Sequence, residues 1–188
     1  VDLHVTNVKA LYVLQCRDFI LETHGEPGIE AVKAKLAPGL REQLYSPLLV
    51  ASDWIDVNLA VQHALAYDSA FGDGVSGHAA EYRSVFAQAA SPEAVLEKSS
   101  RLWRRFYDAG DTQLLSLSPT SVVKRISGCD LPERHELLLL PYYEELLRQW
   151  GARDPLARHT KCIARGAECC ETVISWRRSS LTTAPRGA

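Results

Sequence analysis

Methionine is absent from this chain. The initiator residue is therefore missing, and Val1 is expected to mark a cloning boundary or an internal point of a longer protein. Long apolar runs are absent too. Gln15, Arg17 and Asp18 interrupt the best N-terminal candidate, so neither a signal peptide nor a membrane span is expected. Charge of one sign is also scarce. The 21 Lys and Arg against 23 Asp and Glu leave a formal net charge of -2, too little basicity to hold nucleic acid or an anionic membrane by bulk electrostatics. Complete catalytic signatures are missing: there is no Gly-x-Ser-x-Gly elbow, no His-Glu-x-x-His helix and no glycine-rich phosphate loop. The chain accordingly reads as non-enzymatic.

What is present suits one globular unit. A length of 188 residues with 46% hydrophobic and 23% charged content supports one well-buried core and is short for two. A single domain over residues 1–176 and a frayed, polar tail over 177–188 are expected. The five cysteines are odd in number and unevenly spaced, which argues for a reducing, cytoplasmic setting and against a disulfide framework. Cys16 lies among apolar residues and reads as a small buried side chain.

Periodicity gives a helical first half. Helical spacing runs over residues 5–23 and stops at Gly25, and a short helix is expected over 29–36. A second strong helix is read over 52–67, with Ser52 or Asp53 as its cap, and a third over 76–89. Ser91-Pro92-Glu93 is a clean helix start: a capping hydroxyl, then Pro at the first position, then an acid in the first turn. The pattern then changes to two strands, 113–118 and 121–127, around Pro119-Thr120. Residues 133–150 form the most apolar helix, with a kink expected at Pro141. The order argues for an α+β domain: an N-terminal helical layer, then two β-hairpins flanking a long apolar helix and joining into an antiparallel sheet of about four strands.

The last hairpin, residues 157–176, is the most informative stretch. If its turn centres on Gly166, Ile163 opposes Cys169 and Cys162 opposes Cys170. Directly opposed side chains on an antiparallel pair share a face, with Cβ atoms ~4.5–5.5 Å apart. Two thiols so placed suit a shared metal or a disulfide, and the reducing setting disfavours the disulfide. Zinc needs both thiolates and two further ligands. His159 is the nearest third ligand, although a straight strand points it to the other face unless a bulge intervenes. Cys129, His135 and Glu136 are candidates for the fourth. The alternative is that Cys162 and Cys170 are core residues beside Ile174 and Trp176.

The pattern His159-x-x-Cys162-x-Ala164-x-Gly166-x-x-x-Cys170-Glu171 resembles the C-terminal signature of the 4-vinyl-reductase-like superfamily of small-ligand-binding domains. Over residues 5–176 the chain also resembles a myxobacterial paralogous family of unestablished function. The resemblance rests on Gly25, on Trp103-Arg104-Arg105-Phe106-Tyr107-Asp108-Ala109-Gly110, on the strand pair, on Gly151-Ala152-Arg153-Asp154 and on the terminal hairpin. It implies an α+β fold, homodimers, an apolar pocket between helices and sheet, and a structural zinc. On the matching positions the zinc ligands would be His159, Cys162 and Cys170. The superfamily's remaining cysteine falls near Glu136.

Tyr82, Phe86, Trp103, Phe106 and Tyr107 are candidates to line such a pocket, because aromatics with a polar tip suit a flat or lipid-like ligand. The alternative is that they fill the core. Arg101, Arg104 and Arg105 read as a solvated face. His63 and His78 lie where a heme ligand could sit. The chain lacks Cys-x-x-Cys-His and also lacks a Tyr-x-Ser-x-Arg propionate clamp of the kind heme-based nitric-oxide sensors carry, so heme is not expected. The resulting expectation is a homodimeric sensory or regulatory domain that binds a small apolar, aromatic or lipid-like molecule. A protein-interaction scaffold with a filled core is the second reading, and a small-molecule enzyme related to vinyl reductases is the third.

Overall fold

Strand alternation builds the half of the molecule that positions the site. The computed structural model describes residues 6–72 and 89–178, apart from the side chains of Ser116 and Leu117. Strands β3 (Asp111–Ser118), β4 (Ser121–Ser127), β5 (Arg153–Lys161) and β6 (Cys170–Arg177) form one antiparallel sheet in the order β3-β4-β6-β5. The two expected hairpins join through β4 and β6, with Val122 opposite Ile174 and Ile126 opposite Cys170. Because side chains alternate between faces, Val122, Lys124 and Ile126 of β4 and Cys170, Thr172, Ile174 and Trp176 of β6 are all buried.

The apolar helix, α6 (Glu136–Gln149), packs on β5. It buries Leu138, Leu139, Tyr143, Leu146 and Leu147. Pro141 lies inside it. The architecture is therefore the expected α+β arrangement.

The helical layer differs from the sequence reading at its start. Residues expected to open the first helix instead form β1 (Asn7–Lys9), which pairs with β2 (Trp54–Asp56) in a two-stranded ribbon. Local periodicity does not detect this pairing, because each strand has only three residues and its partner is far away in sequence. Helix α1 (Leu11–Lys35) is broken at Gly25, whose φ of 65° and ψ of -170° lie where a side chain is disfavoured. Pro27 opens the second piece, where a missing N–H is harmless.

After α2 (Pro38–Leu44), α3 (Val57–Phe71) starts later than expected. Its cap is Asp56, whose carboxylate accepts from Asn58 N–H at 2.8 Å, rather than Ser52 or Asp53. Helix α4 (Pro92–Arg101) has the expected cap, with Ser91 Oγ accepting from Ala94 N–H at 3.2 Å. It breaks at Leu102, and a single turn, α5 (Trp103–Phe106), follows. Of the helix read over 76–89, residues 76–88, with Tyr82, Phe86 and His78, lie outside the described residues, as does most of the tail. The core is continuous from Cys16, Ile20 and Tyr67 in the helices to Ile174 in the sheet. No described helix is long and apolar enough to cross a membrane.

Candidate functional site

A cavity lies between the helical layer and the sheet, where the sequence placed its aromatic candidates. Trp103, Phe106 and Tyr107 line it together with Leu102 and Ser99. Val8 and Tyr12 close one side, and Leu138, Leu139 and Tyr142 of α6 close the other. The Trp103 and Tyr107 rings stack with centroids 3.8 Å apart and planes 6° from parallel. Three contacts fix this pair. Trp103 Nε1–H donates to Ala109 O at 3.0 Å. Tyr107 bridges to Val8 of β1. The Asp108 carboxylate accepts from both the backbone N–H and the side-chain amide of Asn7, each at 2.7 Å. The cavity volume is about 60 Å³. At ~15 Å³ for each water, that is room for a few waters; a cavity that holds benzene measures ~150 Å³, so neither an aromatic ring nor a lipid tail fits without rearrangement.

One residue that the sequence reading missed gives the cavity its chemistry. Lys124 lines it and is only 2% exposed. Its Nζ donates to Ser99 Oγ at 3.0 Å and lies 4.7 Å from the centre of the Tyr143 ring. Ser99 in turn donates to Leu96 O at 3.1 Å, so its oxygen is free to accept. Burial alone lowers the Lys124 amine from its ordinary value to about 7, because the charged form is poorly solvated there. Burial also pushes the Tyr143 phenol upward. A signal for Lys124 was present in the sequence. In Val122-Val123-Lys124-Arg125-Ile126 either alternation phase puts one cation on the inner face, and the neighbours Val122 and Ile126 select Lys124.

At the other end of the sheet, the structure brings Cys162 and Cys170 together, but with His135 rather than His159 beside them. The ligand atoms of His135, Cys162 and Cys170 lie within 4.8 Å of one another, and all three residues are buried. Cys162 follows the last residue of β5 and starts a one-turn 3-10 helix (Ile163–Arg165), with Gly166 at φ 87°. The register shifts between His159 and Lys161. His159 turns toward Glu136, with its Nδ1 3.8 Å from the carboxylate, and meets the His135 ring edge-on at 5.0 Å.

This donor set does not suit a closed zinc site. Burial pushes the Cys170 thiol up to about 12 and the nearby Cys129 thiol up to about 11, so both rest as thiols at neutral pH. The described residues supply three clustered donors, not four. Burial is also the main cause that lowers His135 to about 4, with His159 and Arg165 adding to it.

No family model and no curated protein matches the chain. Among solved structures it is similar to an H-NOX protein from S. oneidensis in the Fe(II)NO ligation state, at 11% identity and a TM-score of 0.60, covering 90% of this chain and 99% of that one. It is similar to the Fe(II) unliganded H-NOX protein from K. algicida at 8% identity and a TM-score of 0.56, covering 93% and 99%. A mutant H-NOX from T. Tengcongensis gives 9% identity and a TM-score of 0.56, covering 92% and 99%. At these identities the likeness is one of fold.

Two expectations are corrected by these neighbours. The resemblance to the 4-vinyl-reductase-like superfamily is overturned, because the solved neighbours are H-NOX domains. Its strongest motif, two facing cysteines around a glycine turn, encodes a hairpin register rather than a family. The cofactor expectation, structural zinc and no heme, is overturned as well, because the neighbours are heme-binding proteins with Fe(II) states. Short sequence motifs were the wrong basis for it: an axial ligand comes from a side chain that tertiary structure places, not from a contiguous pattern.

Among the described residues no His or Cys lines the cavity, while the phenols of Tyr12, Tyr107 and Tyr142 do. His63 is 3.1 Å from the Tyr45 hydroxyl, His24 stacks on Phe71, and His135 and His159 belong to the hairpin cluster.

Proposed function

We propose that this chain is a non-enzymatic sensory domain that binds a small molecule in the cavity between its helical layer and its sheet. One observation carries the reading: an apolar, aromatic-walled cavity beside the stacked Trp103–Tyr107 pair, with a single buried amine, in a fold whose solved neighbours are H-NOX proteins. Cavities with mostly apolar walls and few polar groups are how proteins hold small ligands. The cavity's contacts reach β1, α1, α4, β4 and α6 at once, so a ligand there can bias how these elements pack. The five free cysteines support a reducing, cytoplasmic setting.

The test is native mass spectrometry of gently purified protein, followed by thermal shift with a series of small compounds that starts at a few heavy atoms. A retained small molecule, or a melting temperature that rises with ligand concentration, is the expected result. No retained mass and no shift across such a series would refute the reading. If heme is the ligand, a His or Cys axial partner has to come from outside the cavity lining, and absorption spectra after reconstitution read the ligand type directly.

A second reading, a protein-interaction or homodimer surface, is supported by one patch. Leu48 is 84% exposed and Trp54 is 44% exposed, and both line a shallow groove with Leu44, Leu49, Ile55 and Leu59. Exposed apolar patches of this kind mark association sites. Light scattering should give a dimer mass for the native chain and a monomer mass for Leu48→Asp. A monomer at high concentration would remove this reading.

A further inference from the structure

Lys124 is a buried amine on the wall of a closed space, and no carboxylate among the described residues pairs with it. Ser99 Oγ, 3.0 Å away, accepts one of its N–H groups, and the Tyr143 ring lies 4.7 Å from it. Ser99 gives its own proton to Leu96 O. Among the described residues, therefore, no donor occupies the lone pair of the neutral amine. The cross-strand neighbours, Leu114 on β3 and Thr172 on β6, carry no charge. The rest of the cavity wall is aliphatic, aromatic or hydroxyl-bearing, with no carboxylate, imidazole or thiol. Burial holds the amine near 7, so a large share of it is neutral at neutral pH. A lysine desolvated in an apolar pocket is a nucleophile toward carbonyl carbon.

We propose that Lys124 captures a small aliphatic aldehyde in this cavity as a Schiff base. The proposal rests on the cavity being a ligand site and adds the class of ligand and the bond that holds it. The Nζ lone pair forms a bond to the carbonyl carbon. The carbonyl oxygen then leaves as water, taking both amine hydrogens, and a C=N bond remains. Nothing is oxidised or reduced. The product is neutral, so no charge stays buried without its counter-ion. Size sets the other limit. A cavity of about 60 Å³, at ~15 Å³ for each water, admits about three or four heavy atoms, whereas a ring needs ~150 Å³.

Reductive trapping on the whole chain tests this. Acetaldehyde with cyanoborohydride at pH 7 turns each Schiff base into an ethyl group, which peptide mapping assigns to its residue. A water-exposed ammonium keeps its charge at that pH and reacts slowly. Lys9, Lys33, Lys35, Lys98 and Lys161 are all at least partly exposed, and the α-amino group is read from its own peptide. Lys124 should be ethylated at least about tenfold faster than any of these lysines. The preference should vanish in urea, because burial creates it, and Lys124→Met should lose the fast site alone. Benzaldehyde, too large for the cavity, should show no preference for Lys124. A preference that persists in urea or with benzaldehyde would overturn the proposal, because the reaction would then not depend on this cavity. If Lys124 reacts no faster than the exposed lysines while acetaldehyde alone raises the melting temperature, the Schiff base is refuted and the cavity stands as a ligand site. Neither fast labelling nor a rise in melting temperature would remove both.

Discussion

Replacing Lys124 by Met should stabilise the protein near neutral pH, and the gain should disappear in alkali. In the folded state the amine titrates near 7 and in the unfolded chain near its ordinary 10.5. Between those values the unfolded chain holds one more proton than the folded one, so native stability rises with pH across that window. A difference of 3.5 units, 10.5 minus 7, corresponds to roughly 4–5 kcal/mol at about 1.36 kcal/mol per unit. The Ser99 hydrogen bond and the contact with Tyr143 return ~1–2 kcal/mol to the native side.

Met fills similar volume without a charge. The variant should therefore be more stable by about 2–3 kcal/mol near pH 7. It should be equal or slightly weaker near pH 10, where the native Lys is neutral at no cost and still makes its contacts. Urea unfolding of both proteins across this range measures the difference, and other titrating groups cancel in the subtraction. A difference that stays constant with pH would refute the reasoning, because it would mean that Lys124 keeps an ordinary amine in the folded protein.

The buried His135 should make the fold acid-sensitive. Its folded value of about 4 lies below the ordinary 6.5, so the stability it contributes is full above 6.5 and is lost as pH falls toward 4, by ~2–3 kcal/mol. His135→Gln should flatten that loss in acid unfolding curves, and an unchanged curve would assign the acid sensitivity elsewhere. Gly110 has a φ of +78°, and a Cβ there would sit 2.7 Å from Cys129 Sγ. Gly110→Ala should cost at least about 2 kcal/mol in urea unfolding, and a loss below about 0.5 kcal/mol would show that the Asp108–Asp111 turn can relax.

Much of this molecule was legible in its sequence, for reasons that are local. Ser91-Pro92 had to open a helix because a hydroxyl cap and a proline without N–H suit only that position. The alternation in 121–127 had to form a strand, Gly25 had to break its helix, and the facing of Cys162 with Cys170 followed from the turn at Gly166. Trp103, Phe106 and Tyr107 were recognisable as a group because the Ser91-capped helix carries them on toward the sheet. Three things were decided only in three dimensions. The β1–β2 ribbon joins two three-residue strands that carry no periodic signal and meet across more than forty positions. His135 displaced His159 beside the cysteines because a one-residue register shift and the start of α6 set which imidazole faces the thiols. Lys124 acquired its character from the packing of α1, α4, α5 and α6 over one face of β4. In the sequence it is one cation next to another, and only burial turns it into an amine without a counter-ion.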